Sequence, residues 1–392
     1  MNQHTEHRDL AEFAHCLSVA EPHTCAGSPT KVSVQLAEMW QKLLSVGSVG
    51  SDDDYFNLGG DSILAVHLFA EIDRTFGVRL PVAVLFDAPT VDSLARRIEG
   101  ELQSSGSSSL VVIQAKGERP PFFCIHGAGG NVLIYRDLSL HLGSDQPFYG
   151  LQSQGLDGSQ PPLKTVEEMA SRYVKEIRRA EPRGPYLLGG YCGGGTIAYE
   201  VAQQLRDAGG DVALLALFDT MNWAKVRPPS LAGKFYRQVQ RFAFHAGNFF
   251  HLDARDQFRF VLGKARTMRS RAPVWWGLIS GRFSRHFGAS THPSRVLGDI
   301  WRANDRACQA YVAKPFDGVI TDIRPIKQYR MYSQPGLKWV ALARRGQTVS
   351  VLPVYPAGML TEPLVRHLAK ALRESIDQAI REHEFHATAR RA

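Results

Sequence analysis

The sequence predicts a small helical bundle followed by a larger α/β domain with a mostly parallel sheet. Apolar residues recur at helical spacing in several stretches between residues 31 and 103. The next residues, SSGSSS at 104–109, have the composition of a flexible linker. Beyond them, short apolar segments alternate with helical patterns, which is typical of parallel strands covered by helices on both faces.

The first part of the chain is predicted to form a bundle of the four-helix type. Its helices are expected at about 32–44, 62–76 and 91–102. Residues 1–30 lack any periodicity and are expected to form a flexible leader. The initial methionine and this short leader favour a free-standing protein over a detached piece of a longer one.

The second part, residues 110–385, is predicted to alternate strands and helices. The expected strands are 110–113, 122–125, 148–151, 186–188, 213–218, 318–324 and 349–354, and the clearest helices are 166–179, 196–208 and 362–380. A long basic and aromatic insertion at about 222–305 interrupts this alternation and is expected to be partly helical.

Composition excludes several classes of protein. The 392 residues are 44% hydrophobic and 21% charged, which is the ordinary globular range. No run approaches the roughly 18 apolar residues of a membrane span, and the polar N-terminus is not a signal peptide. The five scattered cysteines form neither a zinc motif nor a disulfide framework, so no metal is expected and a reducing cytoplasm is the expected location.

The net charge of +8 is unevenly distributed along the chain. Residues 28–103 contain six Lys and Arg against eleven Asp and Glu, a balance of −5, whereas residues 222–297 contain fourteen against two, a balance of +12. Nucleic-acid binding is not expected, because no recognised motif accompanies the basic stretch. Complementary charge of this kind can instead steer docking between modules, more weakly as salt rises.

The string DDDYFNLGGDSI at 52–63 is the most specific in the sequence. Gly59 and Gly60 permit a close approach to the following helix, and Ser62 exposes a hydroxyl at the N-terminal end of that helix. A phosphodiester on Ser62 would there meet unpaired backbone N–H groups and the positive end of the helix dipole. Alternatively, Asp61 or Ser62 merely caps a surface helix.

A second motif, G-x-C-x-G at 190–194, connects a predicted strand directly to a helix. Small residues are needed around a nucleophile on such a strained turn, so the motif indicates a nucleophile elbow that carries Cys192. A buried structural cysteine beside a glycine-rich turn is the alternative.

Two further segments complete this candidate site. The loop HGAGG at 126–130 follows a strand, and the backbone N–H of Ala128 is expected to bind an oxyanion together with that of Gly193. His126 is expected to shape the loop rather than act as a base. Asp219 ends a strand where an acid can orient a histidine, although a turn-capping role is also possible.

The segment 32–101, with the LGGDS motif, resembles the peptidyl or acyl carrier domains of nonribosomal peptide and polyketide synthases. The resemblance implies that Ser62 receives 4′-phosphopantetheine from a separate phosphopantetheinyl transferase. It also implies that upstream synthase modules, or an acyl-loading enzyme, supply an acyl or peptidyl group to the thiol of that arm.

Residues 110–380 resemble a type I thioesterase domain of the α/β-hydrolase fold, with Cys192 in place of the usual serine. The resemblance implies a mobile lid, here 222–305, and transfer of a thioester from the carrier to Cys192. Release by water, by cyclisation or by an amine would follow. We expect the basic lid to contact the acidic face of the carrier or the phosphate of the arm.

The resemblance fails at the catalytic base. The family places a histidine after the last strand, but residues 352–363 read LPVYPAGMLTEP and contain none. The nearest candidate is His367, inside the predicted final helix. Without a base, Cys192 could still react if the helix N-terminus lowered its pKa.

Two functions therefore remain open at the level of sequence. In the first, the protein is an enzyme that transfers or releases the acyl group through Cys192. In the second, Ser62 presents a substrate to partner enzymes, and the hydrolase domain only binds. An ordinary esterase would leave the carrier segment unexplained.

Overall fold

The computed structural model describes residues 30–78, 80–101, 108–156, 160–223, 231–250, 252, 257, 293–329 and 339–389. The predicted leader up to residue 29, the linker residues 104–107 and the lid residues 258–292 lie outside the described residues.

The N-terminal part is a helical bundle, as the periodicity predicts. Its helices are α1 (Lys31–Leu44), α2 (Ser62–Phe76) and α3 (Val91–Glu101), with a 3₁₀ turn at Val82–Phe86. Helix α1 begins after Thr30, whose hydroxyl accepts a hydrogen bond from the Ser33 N–H at 3.1 Å. The buried rings of Trp40 and Tyr55 meet edge to face in the core, with ring centroids 5.3 Å apart.

The C-terminal part contains a seven-stranded sheet. The strands are β1 (Leu110–Gln114), β2 (Phe122–Ile125), β3 (Phe148–Leu151), β4 (Tyr186–Tyr191), β5 (Val212–Phe218), β6 (Ile320–Pro325) and β7 (Gln347–Leu352). Their order is β1-β3-β2-β4-β5-β6-β7. Only the edge pair of β1 and β3 is antiparallel, which confirms the mostly parallel sheet.

Helices cover both faces of this sheet. Helices α4 (Arg136–Leu142) and α9 (Val365–Ala389) pack on one face, and α5 (Val166–Ala180) and α6 (Gly193–Asp207) pack on the other. Helices α7 (Leu231–Phe250) and α8 (Pro293–Ala310) belong to the insertion that follows β5. Helix α5 shows why they pack: Val166, Met169, Tyr173 and Ile177 are buried at helical spacing against the sheet. The fold is therefore a helical bundle, the predicted carrier, followed by an α/β domain with the mostly parallel sheet predicted for a hydrolase.

The structure extends several predicted elements and adds one. The strand predicted at 186–188 continues to Tyr191, and the helix predicted from 196 begins already at Gly193, so only one residue separates them. The helix predicted to end at 380 continues to Ala389. Helix α4 was not predicted, because one short helix of seven residues gives a weak periodic signal.

The sheet places the two predicted catalytic side chains next to each other. Strands β4 and β5 are parallel neighbours, with Tyr191 opposite Phe218 at their carboxyl ends. Cys192 and Asp219 are the residues that follow, and the Cys192 N–H donates to the Phe218 carbonyl at 2.9 Å. Both side chains thus emerge at one edge of the sheet, where parallel α/β folds bind their ligands.

The carrier bundle packs directly on this domain. Leu133, which precedes α4, is buried within the hydrophobic cluster of the carrier, and Leu297 of α8 packs against the same cluster. The Arg136 guanidinium lies over the Phe56 ring of the carrier, 4.5 Å from its centroid. These contacts orient the N-terminal end of α2 towards the sheet edge that carries Cys192.

The described part of the chain contains neither a membrane-spanning helix nor a metal-binding cluster. No helix there is long and apolar enough to cross a membrane. No group of His, Cys, Asp and Glu side chains there is arranged to hold a metal ion.

The close packing around Gly60 gives a stability prediction. A Cβ atom at Gly60 would lie 2.3 Å from the ring of Tyr55, which is fully buried and donates its hydroxyl to the Asp61 carbonyl. We expect Gly60→Ala to lower the free energy of unfolding of the carrier by about 1–3 kcal/mol, because the core must move to admit the methyl group. Urea denaturation followed by tryptophan fluorescence measures this change.

Gly47→Ala is the matched control, because no atom lies within 4 Å of a Cβ built there. It should leave the unfolding midpoint close to that of the original protein. Equal midpoints for the two variants would contradict the packing described around Tyr55.

Candidate functional site

Cys192 stands on a strained turn between β4 and α6. Its backbone φ is 56° and ψ is −120°, a conformation that residues other than glycine rarely adopt. A Cβ on Gly194 would lie 2.4 Å from the carbonyl oxygen of His126, so only glycine fits there. The G-x-C-x-G pattern therefore has the strand–turn–helix geometry expected of a nucleophile elbow, with the half-buried thiol at its tip.

The two residues of the predicted oxyanion site, Ala128 and Gly193, line the same cavity as this thiol. The Gly193 N–H lowers the pKa of Cys192, which places this donor close to the sulfur. The side-chain amide of Asn304 on α8 donates to the Ala128 carbonyl at 3.1 Å and so holds the loop in place. Sequence reasoning did not identify Asn304, because it lies 176 residues from Ala128.

His126 is buried and holds the same loop from behind. Its Nδ1 is 2.7 Å from the Gly127 carbonyl oxygen, and its Nε2 is 2.8 Å from the Tyr173 hydroxyl. Burial lowers the pKa of His126 to about 4, against a weaker opposite effect of the Gly127 carbonyl. The imidazole is therefore neutral at physiological pH and shapes the loop.

Asp219 is buried at the end of β5 and is held by an amide. The Gln328 side chain, which follows β6, donates to Asp219 Oδ1 at 3.0 Å. The pKa of Asp219 is raised to about 6, mainly by burial and to a smaller extent by the charge of Asp322. The hydrogen bond from Gln328 opposes this rise. Gln328 was missed by sequence reasoning, since no motif marks an amide 109 residues from its partner.

The Cys192 thiol is held in its protonated form. Burial raises its pKa to about 12, and the negative charge of Asp219 adds to this rise, whereas the Gly193 N–H opposes it. The Gly193 N–H at the start of α6 does lower this pKa, as a helix N-terminus can, but desolvation outweighs that single donor.

The structure does not bring His367 into the cavity beside Cys192. The residue is half-buried near the start of α9, and burial together with the charges of Arg366 and Lys370 lowers its pKa. Among the described residues, His245 of α7 is the only histidine that lines this cavity. It lies in the lid, far along the chain from the segment where the sequence suggested a base.

Both halves of the protein contribute to this cavity, which has a volume of about 920 Å³. Cys192 and Asp219 line it from the sheet edge, and Ser62 and Ile63 line it from the carrier. The lid contributes Arg237, Arg241, His245, Asn304 and Asp305. The structure therefore brings Ser62 and Cys192, the two reactive residues predicted from sequence, to one cavity.

Ser62 is the first residue of α2 and is half-buried at this cavity. The Asp61 carboxylate caps the helix by accepting from the N–H groups of Ile63 at 2.8 Å and Leu64 at 3.0 Å. The expectation that a phosphodiester on Ser62 would meet unpaired donors at these positions is therefore wrong, because Asp61 occupies them.

Comparison with protein families separates the chain into two recognised regions. Residues 34–98 match the family model of the phosphopantetheine attachment site, and residues 120–234 match that of the thioesterase domain. The chain therefore contains a carrier region whose cofactor is phosphopantetheine, followed by a thioesterase domain.

Curated relatives are large synthases. The chain is 39% identical over 196 residues to a dimodular nonribosomal peptide synthase of Bacillus subtilis, covering 50% of this chain and 8% of that protein. It is 42% identical over 187 residues to malpinin synthetase of Mortierella alpina, and the match covers 47% of this chain and 2% of that protein. An inactive atromentin synthetase of Paxillus involutus is 30% identical over 234 residues, and the match covers 58% of this chain and 24% of that protein. The chain thus spans a small fraction of these relatives.

One solved structure resembles both parts of the chain together. It is the crystal structure of a holo four-domain nonribosomal peptide synthetase bound to AMP and glycine, with a TM-score of 0.53 and 26% sequence identity. The similarity covers 89% of this chain and 26% of that one.

The charge of Asp219 gives a pH-dependent prediction for the thiol. Asp219→Asn removes the negative charge that raises the pKa of Cys192, and each unit of fall in that pKa increases the thiolate population about tenfold. We expect the variant to react with iodoacetamide about tenfold faster than the original protein at pH 8. The difference should vanish as the pH falls through about 6, where Asp219 becomes protonated in the original protein.

Peptide mass mapping assigns the modification to Cys192 and gives its rate. Asp299→Asn is the control, since it removes the same charge from an exposed position on α8. Equal Cys192 alkylation rates in the original protein and Asp219→Asn at pH 8 would contradict the described electrostatics.

Proposed function

We propose that the protein carries an acyl or peptidyl group as a thioester at Ser62 and transfers it to Cys192 in natural-product biosynthesis. The observation that carries the proposal is the shared cavity, which both residues line. Carrier and thioesterase regions in one chain, and similarity to nonribosomal peptide synthases, support the same role.

The residues present fit phosphopantetheine at Ser62. Ser62 lines a cavity of about 920 Å³ that residues of the carrier, Cys192 and the lid share. When bound, the cofactor supplies a thiol that holds the acyl group as a thioester.

Cys192 then accepts the acyl group. Its sulfur attacks the acyl carbonyl carbon, a new carbon–sulfur bond forms, and the bond to the sulfur of the carrier breaks. The proton that Cys192 loses ends on the leaving thiol, so the exchange is balanced in atoms and in charge. The N–H groups of Gly193 and Ala128 stabilise the oxyanion of the tetrahedral intermediate.

Proton movement is the demanding step, because Cys192 is a thiol at neutral pH and ionised Asp219 disfavours its thiolate. We assign the proton transfer to His245 in place of His367, because His245 lines the cavity. Asp219 accepts a hydrogen bond from the Gln328 side-chain amide. Its role in this proposal is to supply the negative charge that raises the pKa of the Cys192 thiol. Water, an internal hydroxyl or amine, or an external amine then releases the acyl group from Cys192.

A carrier and scaffold protein with a degenerate hydrolase domain is the second candidate. The raised pKa of Cys192 and the amide that occupies Asp219 favour it, since both depart from an activated nucleophile. One relative bears the name of an inactive synthetase, which is consistent with loss of activity in similar proteins. In this case the cavity binds the acylated arm for partner enzymes.

The partners follow from Ser62. A phosphopantetheinyl transferase must reach the Ser62 hydroxyl, which the thioesterase domain half-buries. We therefore propose that the carrier leaves its docked position for priming and for loading by upstream modules or an acyl-loading enzyme, and returns to deliver the acyl group. The cytoplasm is the proposed location of these steps.

An acyl-loading experiment separates the two candidates. The protein is converted to its holo form with an acylated coenzyme A and a phosphopantetheinyl transferase, and intact mass with peptide mapping follows the acyl group. We expect an acyl adduct on Cys192 and loss of the acyl group from the protein, because both reactive residues share one cavity.

Cys192→Ala should retain the acyl group on Ser62, and Ser62→Ala should never acquire it. If the original protein and Cys192→Ala keep the acyl group equally long, with no Cys192 adduct, the enzyme is refuted and the scaffold is supported.

A further inference from the structure

Three basic side chains of α7 share one helical face. Arg237, Arg241 and His245 are spaced four residues apart, so they lie above one another along the helix. All three line the cavity that also contains Ser62. Arg237 and Arg241 are exposed to solvent, whereas His245 is half-buried.

A phosphodiester on Ser62 needs cations from outside the carrier. The capping carboxylate of Asp61 already takes the N–H groups of Ile63 and Leu64, and its own negative charge lies next to the attachment point. The local sequence of the carrier is acidic as well, with three consecutive aspartates at 52–54. A phosphodiester on Ser62 would therefore add a negative charge at the cavity that lid residues also line.

The charges around α7 suit a single anion. The Arg237 guanidinium opposes the burial-driven rise in the pKa of Asp305, which places these two side chains close together. Arg237 and Arg241 bring two positive charges to the cavity, which the carboxyl groups of Asp219 and Asp305 also line. The two guanidinium groups are therefore the groups there that attract a phosphodiester.

The other arginine near Ser62 has a different task. Arg136 lies over the Phe56 ring and is 3.4 Å from Asp137, so it fastens the carrier to the thioesterase domain. It lines a smaller neighbouring cavity of about 550 Å³ together with Ser62. It does not line the cavity that contains Cys192 in the part of the chain that the structure describes.

We propose that Arg237 and Arg241 form a binding site for the phosphodiester of the phosphopantetheine arm when the carrier is docked. The inference rests on the proposed attachment of the arm to Ser62. Planar guanidinium groups bind phosphate oxygens through paired N–H donors, which suits two arginines one helical turn apart. The site would link α7 to the carrier, because the two arginines and Ser62 line the same cavity.

The test uses the full-length holo protein and the phosphorus nucleus of its arm. In the original protein we expect a ³¹P resonance shifted from that of the same protein unfolded in urea. In the double variant Arg237→Gln, Arg241→Gln the resonance should move towards the unfolded position. The arm thiol should then react with a maleimide about tenfold faster, because a charge-assisted contact is lost.

Arg302→Gln on α8 is the matched control, because it removes an exposed lid arginine that pairs with Asp299. Its resonance and thiol reactivity should equal those of the original protein. The double variant Arg237→Lys, Arg241→Lys keeps the charge and should restore most of the shift, and circular dichroism establishes that each variant is folded.

The two proposals fail in different ways. A folded protein that gains no phosphopantetheine mass at Ser62 refutes the attachment, and the phosphate site with it. A loaded protein whose ³¹P shift and arm-thiol reactivity are the same in the glutamine double variant and the original protein refutes the phosphate site alone.

Discussion

The packing of Leu133 into the hydrophobic cluster of the carrier is the contact on which the rest of the arrangement depends. Leu133 belongs to the thioesterase domain, so its burial fixes the carrier against the sheet edge that carries the elbow. The Arg136 contact with Phe56 adds a second point of attachment, and two points set an orientation. In that orientation Ser62 and Cys192 line one cavity, which is the arrangement that the proposed delivery within a single chain requires.

The environment of Cys192 combines strain with a suppressed charge. The elbow exposes the sulfur to the cavity at the cost of an unfavourable backbone conformation. Burial and Asp219 then hold the thiol protonated, so the proposed attack by Cys192 requires that its proton be removed.

Local sequence patterns predicted much of the fold and both residues that lie in motifs, Ser62 and Cys192. The strands and helices follow from hydrophobic periodicity. The two residues follow from short glycine-containing motifs, in which the geometry of the turn restricts the residues allowed. Contacts between distant segments were not predictable: Gln328 on Asp219 and His245 in the cavity come from elements without a motif. The raised pKa of Cys192 was not predictable either, since the sequence shows the helix that follows the thiol but not the burial of the thiol.

Crosslinking within the holo protein tests most directly whether the carrier docks with Ser62 facing Cys192. A short bis-maleimide attached to the arm thiol is allowed to react onward, and peptide mapping identifies the second cysteine. The account predicts a link between the Ser62 and Cys192 peptides, formed within one chain at a rate independent of protein concentration and lost in Cys192→Ala. Links that form only between chains, at a rate rising with concentration, would contradict it.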